Sequence, residues 1–532
     1  MDPTPWWRSA VIYQVYPRSF ADSDGDGIGD LAGVRGKLPY LRDLGADAVW
    51  LSPFFTSPMV DGGYDVSDYR GVDPMFGTLG DFDALVRDAH SAGLRVIVDI
   101  VPNHSSSAHP WFVSALASPP GSAARDRYIF RPGRDSGSAP PNNWESIFGG
   151  PAWTRVPDGS WYLHLFDPTQ PDLNWDNPQV RGEFSDILRF WLDRGVDGFR
   201  VDVAHGMVKA AGLPDITRHR TGMLDTTAVP YFDQDDVHDI YREWRKILDS
   251  YPGERMAVAE AWVPNPARMS RYVRPDELHQ AFNFDYLTAP WSAPALRAAI
   301  DESIAAVALV GAPPTWVLGN HDTVRPATRY GSLARARAAA LLMLALPGSA
   351  YVYQGEELGL PQVTDLPDEV LQDPVFRRSG GTVRGRDGCR VPIPWTGTEP
   401  PYGFSPPSSA PSWLPAPVGW GSLAVAAQSG VAGSTLELYR SALRIRRAHP
   451  ALGAGPGGSG EPDAPVGPGL RWLPAPSDGV LAFVREPGFG CVANLDPEVA
   501  VALPAHREVL LASGPLADGG ALPPDTSAWL AV

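Results

Sequence analysis

The 532-residue sequence predicts an α/β fold: a (β/α)8 barrel with a small domain inserted after the third strand and an all-β sandwich domain at the C-terminus. Three observations predict it. Eight apolar runs of strand length alternate with helical patterns as far as residue 449. Between the third strand and the next helix, residues 105–171 lose this beat and become rich in Pro, Gly, Ser and Trp, too long a stretch for a structureless loop. From residue 454 onward the pattern changes to short strand-like pieces separated by turn residues. The expected domains are therefore a barrel over 1–104 and 172–453, an inserted domain over 105–171 and a C-terminal β domain over 454–532.

VIYQVYP (11–17) opens the series, and residues 31–45 follow with Leu31, Val34, Leu38, Leu41 and Leu44 at helical spacing before a glycine stop. AVWLSP (48–53) is the second strand, 82–93 its helix, and RVIVDIVPNH (95–104) the third strand. After the insertion come a helix over 180–195 and the strand GFRVDV (198–203), then a helix over 237–251 and the strand MAVAEAWV (256–263). AFNFDY (281–286) reads as a sixth strand with a helix over 295–309, and TWVLGNHD (315–322) as the seventh with a helix over 333–346. SAYVYQGEELG (349–359) is the eighth, and the helix over 435–449 completes the set. The Pro/Ser/Gly-rich stretch 403–433 lies inside this last unit, so an ordered loop over the barrel mouth is expected rather than a linker.

The composition, 44% hydrophobic and 10% aromatic, supports globular packing, and the length calls for more than one core. A formal charge of −17 argues against nucleic acid or an anionic membrane surface as partner. No run of about 18 uninterrupted apolar residues and no charged-then-apolar leader is visible, so no membrane partner is expected. The two cysteines, Cys389 and Cys491, make no disulfide framework, and a cytoplasmic monomer or homodimer is the simplest expectation.

In such a barrel, polar residues at the C-terminal strand ends line one mouth and read as catalytic. Here they are Asp99, Asn103 and His104 on the third strand, Arg200 and Asp202 on the fourth, Glu260 on the fifth, and Asn320, His321 and Asp322 on the seventh. An Arg and an Asp two residues apart in a buried strand could be a structural ion pair, and a lone strand-end His or Glu is usually bland. Four strands of one barrel ending alike favour a shared site. No GxSxG elbow, phosphate-cradling glycine loop or Cys/His metal spacing is present. Carboxylates beside neutral hydrogen-bond donors suit glycosyl transfer, which needs one carboxylate as nucleophile and one carboxyl as acid.

DIVPNH (99–104), GFRVDVAHG (198–206), AEAW (259–262) and GNHD (319–322), in this order, resemble the four signature regions of the α-amylase family, glycoside hydrolase family 13. QPDLNW (170–175) is similar to a fifth region in its oligo-1,6-glucosidase and α-glucosidase branch. The resemblance spans about residues 5–450. It implies Asp202 as nucleophile, Glu260 as acid and then base, and Asp322 as the group that holds sugar hydroxyls and favours the distorted ring. It implies that Arg200 orients Asp202 and keeps it ionised, whereas Glu260 has to hold a proton, helped by burial and neighbouring negative charge.

His104 and His321 would bond hydroxyls of the terminal glucose. Asp61 and Tyr64, in VDGGYDVSDY, match the segment that closes the blind end, with Phe148, Phe166 and Gln170 in the pocket wall. Arg386, in GRDGCRVP, resembles the arginine that pairs with the Asp322 equivalent, and Arg390 lies four positions on. A closed pocket implies exo-action. In DSDGDGIGD (22–30) aspartates alternate around Gly27, but the position of a bidentate EF-hand glutamate is Gly33. An Asp/Gly turn is the plain reading. The resemblance implies a structural Ca2+ held by Asp22, Asp24, Asp26, the Ile28 carbonyl and Asp30.

The implied activity is a retaining, exo-acting α-glucosidase that releases glucose from the non-reducing end of short α-glucosides by double displacement. Val203 after the nucleophile is associated with α-1,4 linkages, as in maltose, and transglucosylation is compatible with this chemistry. A glucoside isomerase or transferase of trehalose synthase or sucrose isomerase type, or an oligo-1,6-glucosidase, would share the motifs. A catalytically dead relative, as in amino-acid transporter heavy chains, would lack part of the catalytic set and carry a membrane helix.

Overall fold

The computed structural model describes residues 5–220, 222, 224–452 and 469–532. Eight parallel strands form the central sheet: β1 (Val11–Val15), β2 (Ala48–Leu51), β3 (Arg95–Ile100), β4 (Gly198–Val201), β5 (Met256–Ala259), β6 (Gln280–Ala281), β7 (Thr315–Val317) and β8 (Ser349–Tyr353). Their order is β6-β5-β4-β3-β2-β1-β8-β7, a barrel hydrogen-bonded around all but the β6/β7 seam. Both faces are covered, so the strands are buried along nearly their whole length. Ile12, Trp50, Ile97, Val258, Val317 and Tyr351 belong to one cluster that fills the barrel.

Two predicted elements differ. The helix expected over 31–45 is two, Leu31–Gly36 and Leu38–Leu44, broken at Lys37 because Pro39 lacks the N–H that would continue the ladder. Gly45 then stops the second in the left-handed conformation at φ 103°. The sixth strand is only Gln280–Ala281; the Asn283 side chain accepts from the Tyr286 N–H and starts a helix at Phe284–Thr288 instead.

Residues 105–171 contain the helix Pro110–Ala117 and a three-stranded antiparallel sheet of Phe130–Pro132, Trp153–Arg155 and Ser160–Leu163. The segment leaves and re-enters the barrel at one place, where His104 bridges Asp172. The stretch 403–433 is ordered against the Asp-rich loop: the Trp413 N–H donates to Gly27 O at 3.0 Å and Ala410 N–H to Gly25 O at 2.9 Å. Gly27 has φ +90°, and a Cβ there would lie 2.2 Å from Pro411 O, so both conformation and approach demand glycine.

The C-terminal part is an antiparallel sheet of β9 (Leu470–Trp472), β10 (Val480–Arg485), β11 (Phe489–Asn494), β12 (Glu508–Ala512) and β13 (Thr526–Ala531), in the order β9-β10-β11-β13-β12. It packs on the barrel helix Leu333–Ala345, where Trp529 Nε1 donates to Leu341 O at 3.0 Å. The boundary expected at 453/454 lies outside the described residues.

Candidate active site

Strand register assembles the site. β3 pairs with β4 so that Asp99 lies beside Arg200, and β5 pairs with β4 so that Ala259 lies beside Val201. Asp202 and Glu260, the next residues on each strand, therefore leave the sheet side by side. Arg200 is buried between three acids: Nη1 is 2.6 Å from Asp99 Oδ1 and 2.7 Å from Asp202 Oδ1, and Nη2 is 2.7 Å from Glu260 Oε2. Trp50, from inside the barrel, donates its indole N–H to Asp99 Oδ2 at 3.0 Å, and the Tyr64 hydroxyl donates to the same oxygen at 3.2 Å.

Glu260 is fixed at both oxygens, with Oε2 accepting from the Val203 N–H at 3.0 Å and Oε1 from the Trp262 indole at 3.2 Å. Val203 pays for that contact with a left-handed backbone, φ 43°, which a β-branched residue rarely adopts. Gly206 gives it room, because a Cβ there would meet Val203 Cγ1 at 2.6 Å.

One guanidinium cannot neutralise three carboxylates. Burial pushes Asp202 well above the usual carboxylate range, opposed by Arg200 and reinforced by Glu260, Asp99 and Asp322. Burial likewise raises Asp99 to about 6 against the pull of Arg200. Arg200 pulls Asp202 towards its ionised form, as expected, but it is shared three ways, and burial with the neighbouring acids acts against it.

The far wall is balanced differently. Arg386 reaches Asp61 Oδ1 at 2.6 Å, Asp322 Oδ1 at 3.1 Å and Asp373 Oδ2 at 2.6 Å, and Arg390 Nη2 reaches Asp322 Oδ1 at 2.9 Å. Both arginines named from the sequence thus engage Asp322. Burial acts to raise Asp322, but His321, Arg386 and Arg390 outweigh it and hold the carboxyl well below its ordinary range. Asp373 is brought down to about 2 in the same way, by Arg386 and Arg390 against burial. For Asp61 burial prevails and the shift is upward.

A cavity of ≈ 510 Å³ lies between these clusters, lined by Asp61, Tyr64, His104, Phe148, Phe166, Asp202, Val203, Glu260, Asp322 and Arg386. Gln170, Arg200 and His321 are not in its lining and act from behind. Gln170 Nε2 donates to Asp61 Oδ2 at 3.1 Å and lies 3.2 Å from His104 Nε2. His321 stacks on Tyr64 with centroids 5.2 Å apart and holds Gln14 Nε2 at 2.7 Å. Burial lowers His104 to about 4 and His321 well below the ordinary range, so both rings are neutral hydrogen-bonding groups.

Five further residues complete the lining: Ile147, His205, Arg220, Phe232 and Trp262. His205 and Trp262 stand inside the motifs GFRVDVAHG and AEAW, which could have signalled them. Ile147 lies in the insertion, and Arg220 and Phe232 in the long loop after β4, where no periodicity marks a position.

At the Asp-rich loop, carboxylate oxygens of Asp22, Asp24 and Asp30 lie within 4.8 Å of one another. Asp26 is outside this group; its Oδ1 accepts from the Ile28 N–H at 2.8 Å.

Residues 14–455 match the family model for the α-amylase catalytic domain. A probable α-glucosidase of Rhizobium meliloti is 41% identical over 474 residues, covering 85% of this chain and 84% of the relative. An oligo-1,6-glucosidase of Parageobacillus thermoglucosidasius is 36% identical over 481 residues, covering 84% of each. The crystal structure of the α-glucosyl transfer enzyme XgtA superposes with a TM-score of 0.86 at 38% identity, covering 99% of this chain and 100% of that one. With a family model spanning most of its length and the carboxylates of all four motifs converging on one barrel mouth, this chain belongs to the α-amylase family of glycoside hydrolases.

Proposed function

We propose that the protein is a retaining, exo-acting α-glucosidase that takes glucose from the non-reducing end of short α-glucosides, maltose-like α-1,4 compounds first. The observation that carries this reading is the pairing of Asp202 and Glu260 on adjacent strand ends around one guanidinium, facing a cavity whose opposite wall carries the linked Asp61, Asp322 and Arg386. A terminal glucose fills such a cavity, with its far hydroxyls on Asp61, Asp322 and His104 and its face on Tyr64.

In the first step an Asp202 carboxylate oxygen bonds to C1 while the C1–O bond to the leaving group breaks. Glu260 gives its proton to the departing oxygen, so the aglycone leaves as an alcohol. In the second step water attacks C1, its proton passes to Glu260 and the Asp202–C1 bond breaks. Glucose departs with its original α-configuration and the enzyme regains its starting charges. Asp99, Asp202 and Glu260 share one guanidinium, an excess of acid over cation that favours keeping one proton among them. An alcohol taking the place of water in the second step gives transglucosylation, the activity for which XgtA is described.

Proton NMR of a fresh digest tests the reading: α-glucose should appear first, and initial β-glucose would refute retention. Product analysis with maltose, isomaltose, trehalose and sucrose settles linkage; free glucose, chiefly from maltose, is expected, whereas trehalose formed from maltose would make the enzyme an isomerase.

A structural Ca2+ belongs to this proposal. Asp22, Asp24 and Asp30 bring three carboxylates together, with no basic side chain in ion-pair distance among the described residues, a donor set that fits a hard divalent cation. The Ile28 carbonyl and Asp26 would complete it. Bound there, the ion would tie loop 22–30 to the chain at 410–413. No helix among the described residues is long and apolar enough to cross a membrane. The enzyme is read as a cytoplasmic monomer or homodimer, in keeping with the free, buried Cys389 and Cys491.

A further inference from the structure

The catalytic cavity shares two residues, Arg220 and Phe232, with an outer cavity of ≈ 1150 Å³. If a glucose occupies the end at Asp61, Asp322 and Arg386, its leaving group has to pass this seam, so what stands there sets which aglycones are accepted.

Arg220 is held firmly. Its Nε donates to Thr227 O at 2.9 Å, Nη2 donates to Trp262 O at 3.1 Å, and the guanidinium lies 4.7 Å over the Phe232 ring. Among the described residues no carboxylate is within ion-pair distance of it. The other cations around the outer cavity differ. Lys209 pairs with Asp172 at 2.8 Å, and Arg268 with Asp233 at 2.7 Å and Asp235 at 2.8 Å. Burial lowers Arg220 to about 10, and it stays a cation at neutral pH. Two carbonyls and a ring therefore hold a buried guanidinium that no carboxylate among the described residues pairs directly, Asp225 and Asp233 acting on it only from beyond ion-pair distance.

We propose that Arg220 is the specificity-determining residue of the leaving-group side, and that it selects α-glucosides whose aglycone carries an oxyanion, a carboxylate or a phosphate ester. A preorganised guanidinium gains a charge-assisted, fork-like pair from an oxyanion and much less from a sugar hydroxyl. The inference rests on the glucosidase reading above, since it places the aglycone at the seam.

Two matched pairs test it. Maltobionate differs from maltitol by a carboxylate in place of the terminal hydroxymethyl on the same open-chain leaving unit, and trehalose 6-phosphate differs from trehalose by a phosphate. In the full-length enzyme, kcat/KM for at least one anionic member should exceed that of its neutral partner about tenfold or more. Arg220→Gln should bring that ratio to about one, and Arg220→Lys should keep part of it. The carboxylate and phosphate arms tell which oxyanion is read. An anionic-to-neutral ratio at or below one in the wild type, or a ratio that survives in Arg220→Gln, would overturn the proposal. Binding calorimetry on Asp202→Asn protein reads the same ranking without turnover, and equal affinities within both pairs would overturn it too. Failure of the glucosidase reading has a separate signature: no glucose from maltose, trehalose or 4-nitrophenyl α-glucoside, whatever the calorimetric ranking.

Discussion

The two carboxylate clusters that face each other across the pocket are built from the same parts in different proportions. Asp99, Asp202 and Glu260 share one arginine, Arg200. Asp61, Asp322 and Asp373 share two, Arg386 and Arg390. The under-compensated cluster pushes Asp202 and Asp99 upward, whereas the better-compensated one holds Asp322 and Asp373 down. Cation count thus biases one side of the pocket towards keeping a proton and the other towards anionic Asp322 and Asp373, while burial still raises Asp61.

The largest effect expected is at the nucleophile. Asp202→Asn keeps the shape of the side chain and removes the attacking oxygen anion, so kcat on maltose should fall roughly 10⁴-fold. Its melting temperature should stay near that of wild type or rise, since a buried, under-compensated acid is removed. Appreciable residual turnover would take Asp202 out of this role.

Arg200→Gln leaves three buried acids without a cation and should destabilise the fold by about 3–5 kcal/mol at neutral pH. Two of them, Asp99 and Asp202, have folded pKa values raised above the unfolded ones. Their stabilising contribution is present at low pH and is lost as pH rises through the folded values. The deficit of the variant should therefore be larger at pH 8 than at pH 5 in thermal melts. An equal deficit at both would mean that the cluster is not under-compensated.

Arg386→Gln should cut kcat/KM roughly 10²-fold by freeing Asp61 and Asp322 to move. Asp322 and Asp373 have depressed folded pKa values, so the stability they contribute is present above about pH 4 and fades as pH falls through them. Wild type should accordingly lose stability more steeply below pH 4 than this variant does, and parallel acid profiles would break the contrast.

The smallest effect is expected far from both clusters. Chelation should lower the melting temperature by a few degrees, since a site filled to 100 times its Kd contributes about 2.7 kcal/mol. Activity below the transition should hold. A melting curve indifferent to Ca2+ and to chelator would remove the metal from loop 22–30.

The barrel was legible because each strand is a short apolar run ended by polar residues, and Asp202, Glu260 and Asp322 were legible because they stand at such ends. The sixth strand misled because Asn283, read as part of an apolar run, is a helix cap. Other features depend on distances between chain segments. Arg200 is shared three ways only because Asp99, Val201 and Ala259 fall into register, which no single segment encodes. Asp373, Arg220 and Phe232 come from irregular loops, where a residue's position follows from tertiary packing rather than from period.

The most direct measurement is mass spectrometry of the enzyme trapped with 5-fluoro-α-D-glucosyl fluoride and digested to peptides. A fluoroglucosyl adduct on Asp202 is predicted, absent from the Asp202→Asn variant. An adduct on any other carboxylate, or turnover of that reagent with inversion and no adduct, would contradict the account.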